Sequence, residues 1–138
     1  MRVIFLDFDG VLHSTGGPPG TRLPFEWTDQ LALLLTSTTD VRVVIHSSWR
    51  EHFDLDTLKD FLQPISPWID GAVSDGHKGE AIMNYLATHP EITAALILDD
   101  EEDEFSELVS GTLVLCKPTT GISDPETQKR IASWLASS

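Results

Sequence analysis

The chain has 138 residues, of which 41% are hydrophobic and 22% charged, and its formal net charge is −13. This length and composition predict one globular domain, residues 1–138, with a single substantial core. The strong negative charge disfavours nucleic acids and anionic membranes as partners, because both are bound largely through basic surfaces.

The first predicted strand leads directly into two acidic residues. Residues 3–6 form an unbroken apolar run, which is typical of a strand buried on both faces of a parallel sheet. Asp7 and Asp9 follow two positions apart, so on extended backbone their side chains project to the same side. Gly10 permits a sharp bend or the close approach of a ligand. Carboxylates this close repel each other, and a divalent cation is a common remedy.

Residues 12–24, rich in glycine and proline, predict a loop beside these acids. The loop lacks the Gly-Lys-Ser/Thr ending of a Walker phosphate loop, and its position makes it a candidate lid.

Asp7 interrupts the N-terminal apolar run too early for a signal peptide. Cys116 is the only cysteine, which excludes an internal disulfide. We therefore expect a cytoplasmic protein with no membrane contact.

The rest of the chain alternates between helical and extended patterns. This alternation predicts an α/β fold of three layers, Rossmann-like, with a mostly parallel central sheet and helices on both faces. An acidic run at 101–104 predicts the start of a further helix that continues through residue 108. The predicted helices cover 26–36, 55–62, 78–88 and a segment starting at 123–126, and the predicted strands cover 41–45, 68–73, 94–98 and 113–115.

Acids and hydroxyls follow three of the predicted strands directly. In a parallel sheet, ligands bind beyond the carboxyl ends of the strands, so these side chains are expected at one edge. Three strand ends that deliver polar groups to one edge indicate a site more specifically than any one of them. The residues concerned are Asp7 and Asp9, Ser47 and Ser48, and Asp99 and Asp100.

The order of these residues resembles a known family. Leu-Asp7-Phe-Asp9-Gly-Val, Ser47 after a strand, Lys78, and Asp99-Asp100 after a strand resemble the four signature motifs of the haloacid dehalogenase-like (HAD) phosphohydrolases. Ser-Ser-Trp-Arg at 47–50, Leu-Asp-Asp at 98–100 and Thr-Gly-Ile-Ser at 120–123 are similar to one subgroup. That subgroup comprises the HAD domains of multidomain RNA-repair ("Swiss army knife") proteins and their stand-alone bacterial relatives.

The resemblance implies a Mg²⁺-dependent phosphatase that forms an aspartyl-phosphate. Asp7 would be the nucleophile, ionised at neutral pH without help, and Asp9 would be the general acid and then the general base. Ser47 would donate a hydrogen bond to the transferring phosphoryl group, and Lys78 would neutralise its charge. The ligands of Mg²⁺ would be Asp7, the backbone carbonyl of Asp9, and Asp99 or Asp100.

Three further residues are candidates for binding the substrate. They are Gly10, Ser48, which is the alternative to Ser47, and Arg50. Arg50 has the geometry to grip a phosphate bidentately, and an ordinary surface ion pair is the alternative. Three histidines also lie near the motifs, at positions 13, 46 and 77. We expect no metal-binding histidine cluster, because no two of them share a ligand spacing such as i, i+4.

Family members usually carry cap inserts that select the substrate, and the corresponding gaps here hold only short elements. We therefore expect little or no cap and an open site, which suits a phosphorylated small molecule or a phosphorylated macromolecular end. The subgroup resemblance favours a polynucleotide, whereas the net charge of −13 disfavours one. The alternatives are a nucleotidase, a polynucleotide-end phosphatase, phosphotransfer to an acceptor other than water, and a non-catalytic domain that binds metal or a partner. The oligomeric state is left open.

Overall fold

The computed structural model describes residues 1–15, 23–102, 105 and 112–137. Within these residues, three short 3-10 helices lie at Ser48–Glu51, Gln63–Trp68 and Gly121–Ser123. Four α-helices are present in this part of the chain: α1 (Thr28–Leu35), α2 (Leu55–Phe61), α3 (Lys78–Thr88) and α4 (Pro125–Ala136). The strands are β1 (Arg2–Leu6), β2 (Val41–Ile45), β3 (Ile69–Ala72), β4 (Ala94–Asp99) and β5 (Thr112–Leu115).

The five strands form one sheet in the order β3-β2-β1-β4-β5, and every pair is parallel. This confirms the predicted α/β fold. Helix α3 and strand β2 begin and end at the predicted residues. Helix α2 starts where expected because the Asp54 carboxylate accepts a hydrogen bond from the Thr57 amide at 2.8 Å. Most of the predicted helix from the acidic run, and residues 16–22 of the candidate lid, lie outside the described residues.

The sheet is covered on both faces by hydrophobic side chains that alternate along each strand. Ile4 and Leu6 of β1 pack with apolar residues of α1, α2 and α4 on one face. Val3 and Phe5 point the other way and pack with residues of α3, including Ile82. Successive strand residues face opposite sides of a sheet. The sequence of a strand that is covered on both faces is therefore a continuous apolar run.

The register of the sheet brings the candidate site residues to the same level at the carboxyl ends of the strands. Leu6 pairs with Ile45 on one side and with Leu98 on the other, so the next residue of each strand lies at the same level. Those residues are Asp7, His46 and Asp99. From β1 the sheet is extended first on one side by β2 and β3, and then on the other side by β4 and β5. The strand order therefore reverses between β1 and β4, and ligands bind at this position in such sheets.

The loop after β1 is anchored to the Thr-Gly-Ile-Ser stretch at 120–123. The Ile122 amide donates to the Val11 carbonyl at 3.0 Å, and the Trp27 amide donates to the Leu12 carbonyl at 3.0 Å. Gly121 has a φ of 49°, and a Cβ at this position would overlap the Val11 carbonyl and the Trp27 ring. Glycine is therefore required here, and the loop that carries Asp9 is held firmly in place.

The carboxyl edge of the sheet is open in the described part of the chain. All helices and strands there belong to the three layers, and no separate domain covers the edge, as the prediction of little or no cap requires. Among the same residues, no helix combines the length and the apolar composition needed to cross a bilayer.

Candidate active site

Lys78 joins two buried carboxylates at the carboxyl edge of the sheet. Its ammonium lies 3.4 Å from Oδ2 of Asp7 and 3.2 Å from Oδ2 of Asp99. Both carboxylate side chains are almost inaccessible, at 4% and 0% exposed. Lys78 is the first residue of α3, so the backbone brings its cation to the end of β1 and β4. Three of the predicted site residues thus meet in one ion-pair network.

His46 completes the buried side of this network. It is fully buried, and its Nε2 lies 2.7 Å from Oδ2 of Asp99. Burial lowers the pKa of His46, so the ring is neutral and its Nε2–H donates to the carboxylate. Burial alone would raise the pKa of Asp99, but the hydrogen bond from His46 and the Lys78 charge lower it overall. Asp99 is therefore an ionised carboxylate with fixed donors.

Asp7 is protonated more readily than the sequence suggests. Burial, reinforced by the nearby charge of Asp99, raises its pKa to about 8, although Lys78 opposes the shift. The expectation that Asp7 is ionised at neutral pH without help is therefore wrong for the metal-free protein. The physical reason is desolvation at a strand end where negative charge already exceeds the positive charge of one lysine.

Asp100 lies on the more open side of the same cluster, against Gly10. Burial and then the charge of Asp99 raise the pKa of Asp100 to about 6. Gly10 has a φ of 75°, and a Cβ on it would overlap the Asp100 carboxylate. Glycine at this position therefore does two things: it adopts the left-handed conformation and it lets the carboxylate reach the loop after β1.

The donors present here fit a divalent cation. Atoms of Asp7, His46 and Asp99 all lie within 4.8 Å of one another. Nε2 of His46 already binds Asp99, so carboxylate oxygens of the cluster would hold the cation. Among the charged neighbours of Asp7, the carboxylates of Asp99 and Asp100 raise its pKa and the ammonium of Lys78 lowers it. An excess of carboxylate charge over one ammonium is the arrangement that a hard cation such as Mg²⁺ compensates.

Asp9 belongs to a second network on the exposed side of the edge. Its Oδ1 lies 2.7 Å from Nε2 of His13, and its Oδ2 accepts the indole N–H of Trp49 at 3.1 Å. The Asp9 side chain is 46% exposed, so it is accessible from solvent. Both carboxylate oxygens have a fixed partner, and the group has one defined orientation.

The two serines after β2 differ in accessibility. Ser47 is fully buried next to His46, and its Oγ accepts the Trp49 amide at 3.3 Å as the cap of the 3-10 helix. Ser48 is exposed and begins that helix. The strand end therefore brings Ser47 to the predicted edge, while Ser48 points to the surface.

Arg50 is engaged by the protein backbone rather than left open to a phosphate. It is 8% exposed and donates to four main-chain carbonyls. These are the carbonyls of His46 (2.7 Å), Ser47 (3.1 Å), Ser74 (3.1 Å) and Gly76 (2.7 Å). Four of its five N–H donors are thus occupied. The structure does not support the predicted substrate contact and gives Arg50 a scaffolding role between the second motif and residues 74–76.

The Arg50→Met variant is expected to be destabilised by about 2–4 kcal/mol, because two buried and two partly buried carbonyl contacts would lose a charged donor. Urea unfolding measures the change. Arg42→Met is the matched control, since Arg42 pairs with Asp70 at 2.7 Å at a partly exposed position and should contribute about 1 kcal/mol or less. Wild-type stability of Arg50→Met together with a large rise in KM would instead assign Arg50 to the substrate.

The stability of the metal-free protein should depend on pH through Asp7. The unfolded carboxyl titrates near its ordinary value, whereas the folded pKa is about 8. Between these values the folded state binds the extra proton, so this group's contribution to stability falls as pH rises from about 4 to 8. Asp7→Asn removes the titration. In EDTA, the stability of Asp7→Asn relative to wild type should therefore increase over this range, by an amount on the order of a few kcal/mol. A difference that is constant with pH would contradict the raised pKa.

Sequence reasoning missed three residues of the site. His46 and His13 were given no role, and Trp49 entered only as part of a subgroup pattern. The four-residue spacing of Asp9 and His13 was a signal that could have been used, although it lies in a loop rather than a helix. For His46 the only signal was its position directly before Ser47 at a strand end.

The sheet order and the acidic carboxyl edge define an α/β protein of the HAD type. A family model described as "HAD domain in Swiss Army Knife RNA repair proteins" matches residues 3–127. The chain therefore belongs to this family, as the resemblance predicted. Comparisons with the curated proteins and with the solved structures give no significant match.

Proposed function

We propose that the protein is a Mg²⁺-dependent phosphoric monoester hydrolase that works through an aspartyl-phosphate on Asp7. The observation that carries this proposal is the position of Lys78, whose ammonium lies between Asp7 and Asp99 at the edge where ligands bind in such folds. A cation fixed beside a carboxylate nucleophile neutralises the charge that an incoming phosphoryl group adds. Membership of the HAD domain family supports the hydrolase class.

Two half-reactions follow from the roles of Asp7 and Asp9. In the first, a carboxylate oxygen of Asp7 bonds to phosphorus while the ester P–O bond breaks, and Asp9 gives its proton to the departing oxygen. In the second, Asp9 takes a proton from a water molecule whose oxygen bonds to phosphorus. The P–O bond to Asp7 then breaks and inorganic phosphate leaves. Ser47 would donate a hydrogen bond to the phosphoryl oxygens.

The metal would be held by the side chains of Asp7 and Asp100 and by the backbone carbonyl of Asp9. Asp100 is the better side-chain ligand of the acidic pair, because both oxygens of Asp99 already accept hydrogen bonds. Oδ1 accepts the Glu101 amide at 2.9 Å, and Oδ2 is bound by His46 and Lys78. When bound, Mg²⁺ supplies positive charge that keeps Asp7 ionised and polarises the phosphoryl group.

A phosphorylated polynucleotide end is the second candidate substrate. The description of the family, which places such domains in RNA-repair proteins, favours it. The open carboxyl edge also suits a bulky substrate. The net charge of −13 opposes it, because nucleic-acid affinity arises mainly from basic groups. A small phosphorylated metabolite or a mononucleotide does not face this repulsion over an extended surface.

A phosphate-release screen tests the proposal. Phosphorylated metabolites, mononucleotides, phosphopeptides, and oligonucleotides carrying a 3′- or a 5′-phosphate are each assayed with Mg²⁺ and with EDTA. We expect hydrolysis of at least one class with Mg²⁺ and loss of hydrolysis in EDTA. Faster turnover of oligonucleotides than of mononucleotides would select the second candidate. Mg²⁺ binding without turnover across the whole panel would overturn the hydrolase assignment in favour of a non-catalytic domain.

A further inference from the structure

Asp9 is held from both sides by neutral donors that the proposed mechanism does not use. The indole N–H of Trp49 donates to Oδ2 at 3.1 Å, and Nε2 of His13 lies 2.7 Å from Oδ1. Each carboxyl oxygen has a second acceptor position, so both contacts are compatible with a proton on Asp9 and with its absence. The two contacts fix the plane of the carboxyl group and leave the second acceptor position of each oxygen available.

The direction of the His13 hydrogen bond is determined by the backbone. The Phe25 amide donates to Nδ1 of His13 at 3.1 Å. An amide N–H can only donate, so Nδ1 must accept, and the ring hydrogen lies on Nε2. His13 therefore donates to Asp9. One chain of hydrogen bonds runs from the Phe25 backbone through the imidazole to the carboxylate.

The backbone at Phe25 is strained in the conformation that makes this contact. Phe25 is the one non-glycine residue with positive φ in the described part of the chain, at 59°. Such a conformation costs about 1 kcal/mol or more and persists only when the surroundings impose it. Here its ring contacts His13, Phe8, Trp49 and Phe61, with centroid separations of 5.1–5.5 Å. Strained residues of this kind cluster at functional sites.

The same aromatic cluster fixes the other donor. The ring of Trp49 lies 5.1 Å from Phe25, 5.7 Å from Phe53 and 5.8 Å from Phe61. Its backbone amide also donates to Oγ of Ser47. The indole is therefore packed on several sides, and its N–H points at Asp9 before any substrate arrives.

We propose that His13 and Trp49 are positioning residues that orient Asp9 as the proton donor of the first half-reaction. This inference rests on the proposed phosphatase function. A general acid contributes only when its proton lies within hydrogen-bond reach of the departing oxygen. The hydrogen bonds from His13 and Trp49 hold the Asp9 carboxyl group in that direction. Without them, an aspartate at 46% exposure would sample several rotamers.

Two substitutions of His13 separate its two hydrogen bonds. In His13→Gln the amide nitrogen occupies roughly the place of Nε2 and still donates to Asp9, whereas the contact with Phe25 is lost. In His13→Asn the side-chain oxygen is placed like Nδ1 and accepts the Phe25 amide, whereas the donor to Asp9 is lost. Each variant removes one contact, so damage to the loop and loss of the Asp9 contact are distinguishable. Trp49→Phe removes the second donor and keeps an aromatic ring.

The readout is kcat/KM on phenyl phosphate and on p-nitrophenyl phosphate, because it reports the first half-reaction. The nitro group makes the departing oxygen a weaker base that needs little protonation. We expect His13→Asn and Trp49→Phe to lose about tenfold to a hundredfold on phenyl phosphate and about threefold or less on the nitro ester. His13→Gln should stay within about threefold of wild type on both esters. Exposed His52→Asn serves as the matched control.

Outcomes for the inference and for the proposed function are distinct. No wild-type turnover of either ester or of any compound in the phosphate-release screen would overturn both. With an active wild type, equal losses on the two esters, or equal activity of His13→Asn and His13→Gln at equal stability, would overturn the positioning role alone. Thermal unfolding of each variant shows whether it folds. If His13→Asn does not fold, the comparison of Trp49→Phe on the two esters decides the matter.

Discussion

Replacing Asp7 with asparagine is expected to reduce kcat on any phosphate ester by at least about 10⁴-fold, because the group that bonds to phosphorus would be absent. The amide cannot attack phosphorus, and it also weakens the metal site that Asp7 is proposed to share with Asp100. Initial rates of phosphate release with saturating Mg²⁺ measure the effect.

The fold of the Asp7→Asn variant should remain intact. Asp7 is 3% exposed and burial raises its pKa to about 8, so a neutral side chain of the same shape should fit the metal-free site. Circular dichroism and unfolding in EDTA therefore serve as controls, and the variant should be as stable as wild type or more so. Hydrolysis at more than about a tenth of the wild-type rate by a folded Asp7→Asn protein would exclude Asp7 as the nucleophile.

Replacing Lys78 with methionine is expected to lower kcat/KM by about 10²–10³-fold. The ammonium lies 3.4 Å from Asp7 and 3.2 Å from Asp99, so its loss removes the cation that stands where phosphoryl charge would accumulate. The same loss should raise the pKa of Asp7 further, since Lys78 opposes the shift. The Michaelis parameters and the unfolding midpoint together describe the variant.

Two further variants serve as controls for the Lys78→Met experiment. Lys129→Met removes a cation from an exposed position of α4 and should leave kcat/KM unchanged within about twofold. Lys78→Arg retains the charge on a larger planar group and should keep part of the activity. If Lys78→Met falls by less than about threefold, the ammonium does not stabilise the transferring group.

The sheet and the convergence of the acids were predictable from local pattern. Continuous apolar runs predicted the buried strands. Because ligands bind at the carboxyl ends of parallel strands, Asp7 and Asp99 were expected at one edge of the sheet. The register confirms the reason: Leu6 pairs with Leu98, so the next residues of both strands meet. The start of α2 was predictable because its capping residue, Asp54, lies within one helical turn of it.

The roles of His46 and Arg50 were not predictable, because they depend on packing between distant segments. His46 reaches Asp99 only because β2 and β4 flank β1 in a shared register, and no spacing along the chain encodes that relation. Arg50 carries the charge of a phosphate ligand, yet residues 74–76 fold back and supply carbonyls to it. The same side chain suits either role, and tertiary structure decides between them.

The Asp9–His13 pair depended on loop geometry that composition does not reveal. The turn needs Gly10 at a φ of 75°, and it needs the anchors that Trp27 and Ile122 provide. It also needs an unfavourable backbone conformation at Phe25, which sequence preferences argue against. Local rules fail most often where a site imposes strain, and Phe25 is such a position.

Capture of a covalent phosphoenzyme would be the most direct test. A radiolabelled phosphate ester is mixed with enzyme and Mg²⁺, quenched in acid during turnover, and digested for peptide mapping. We predict one phosphoryl group on the peptide that contains Asp7, released by hydroxylamine as an acyl phosphate should be, and missing in Asp7→Asn. Turnover without any enzyme-bound phosphate, or a phosphoryl group on a histidine instead, would contradict a carboxylate nucleophile at the end of the first strand.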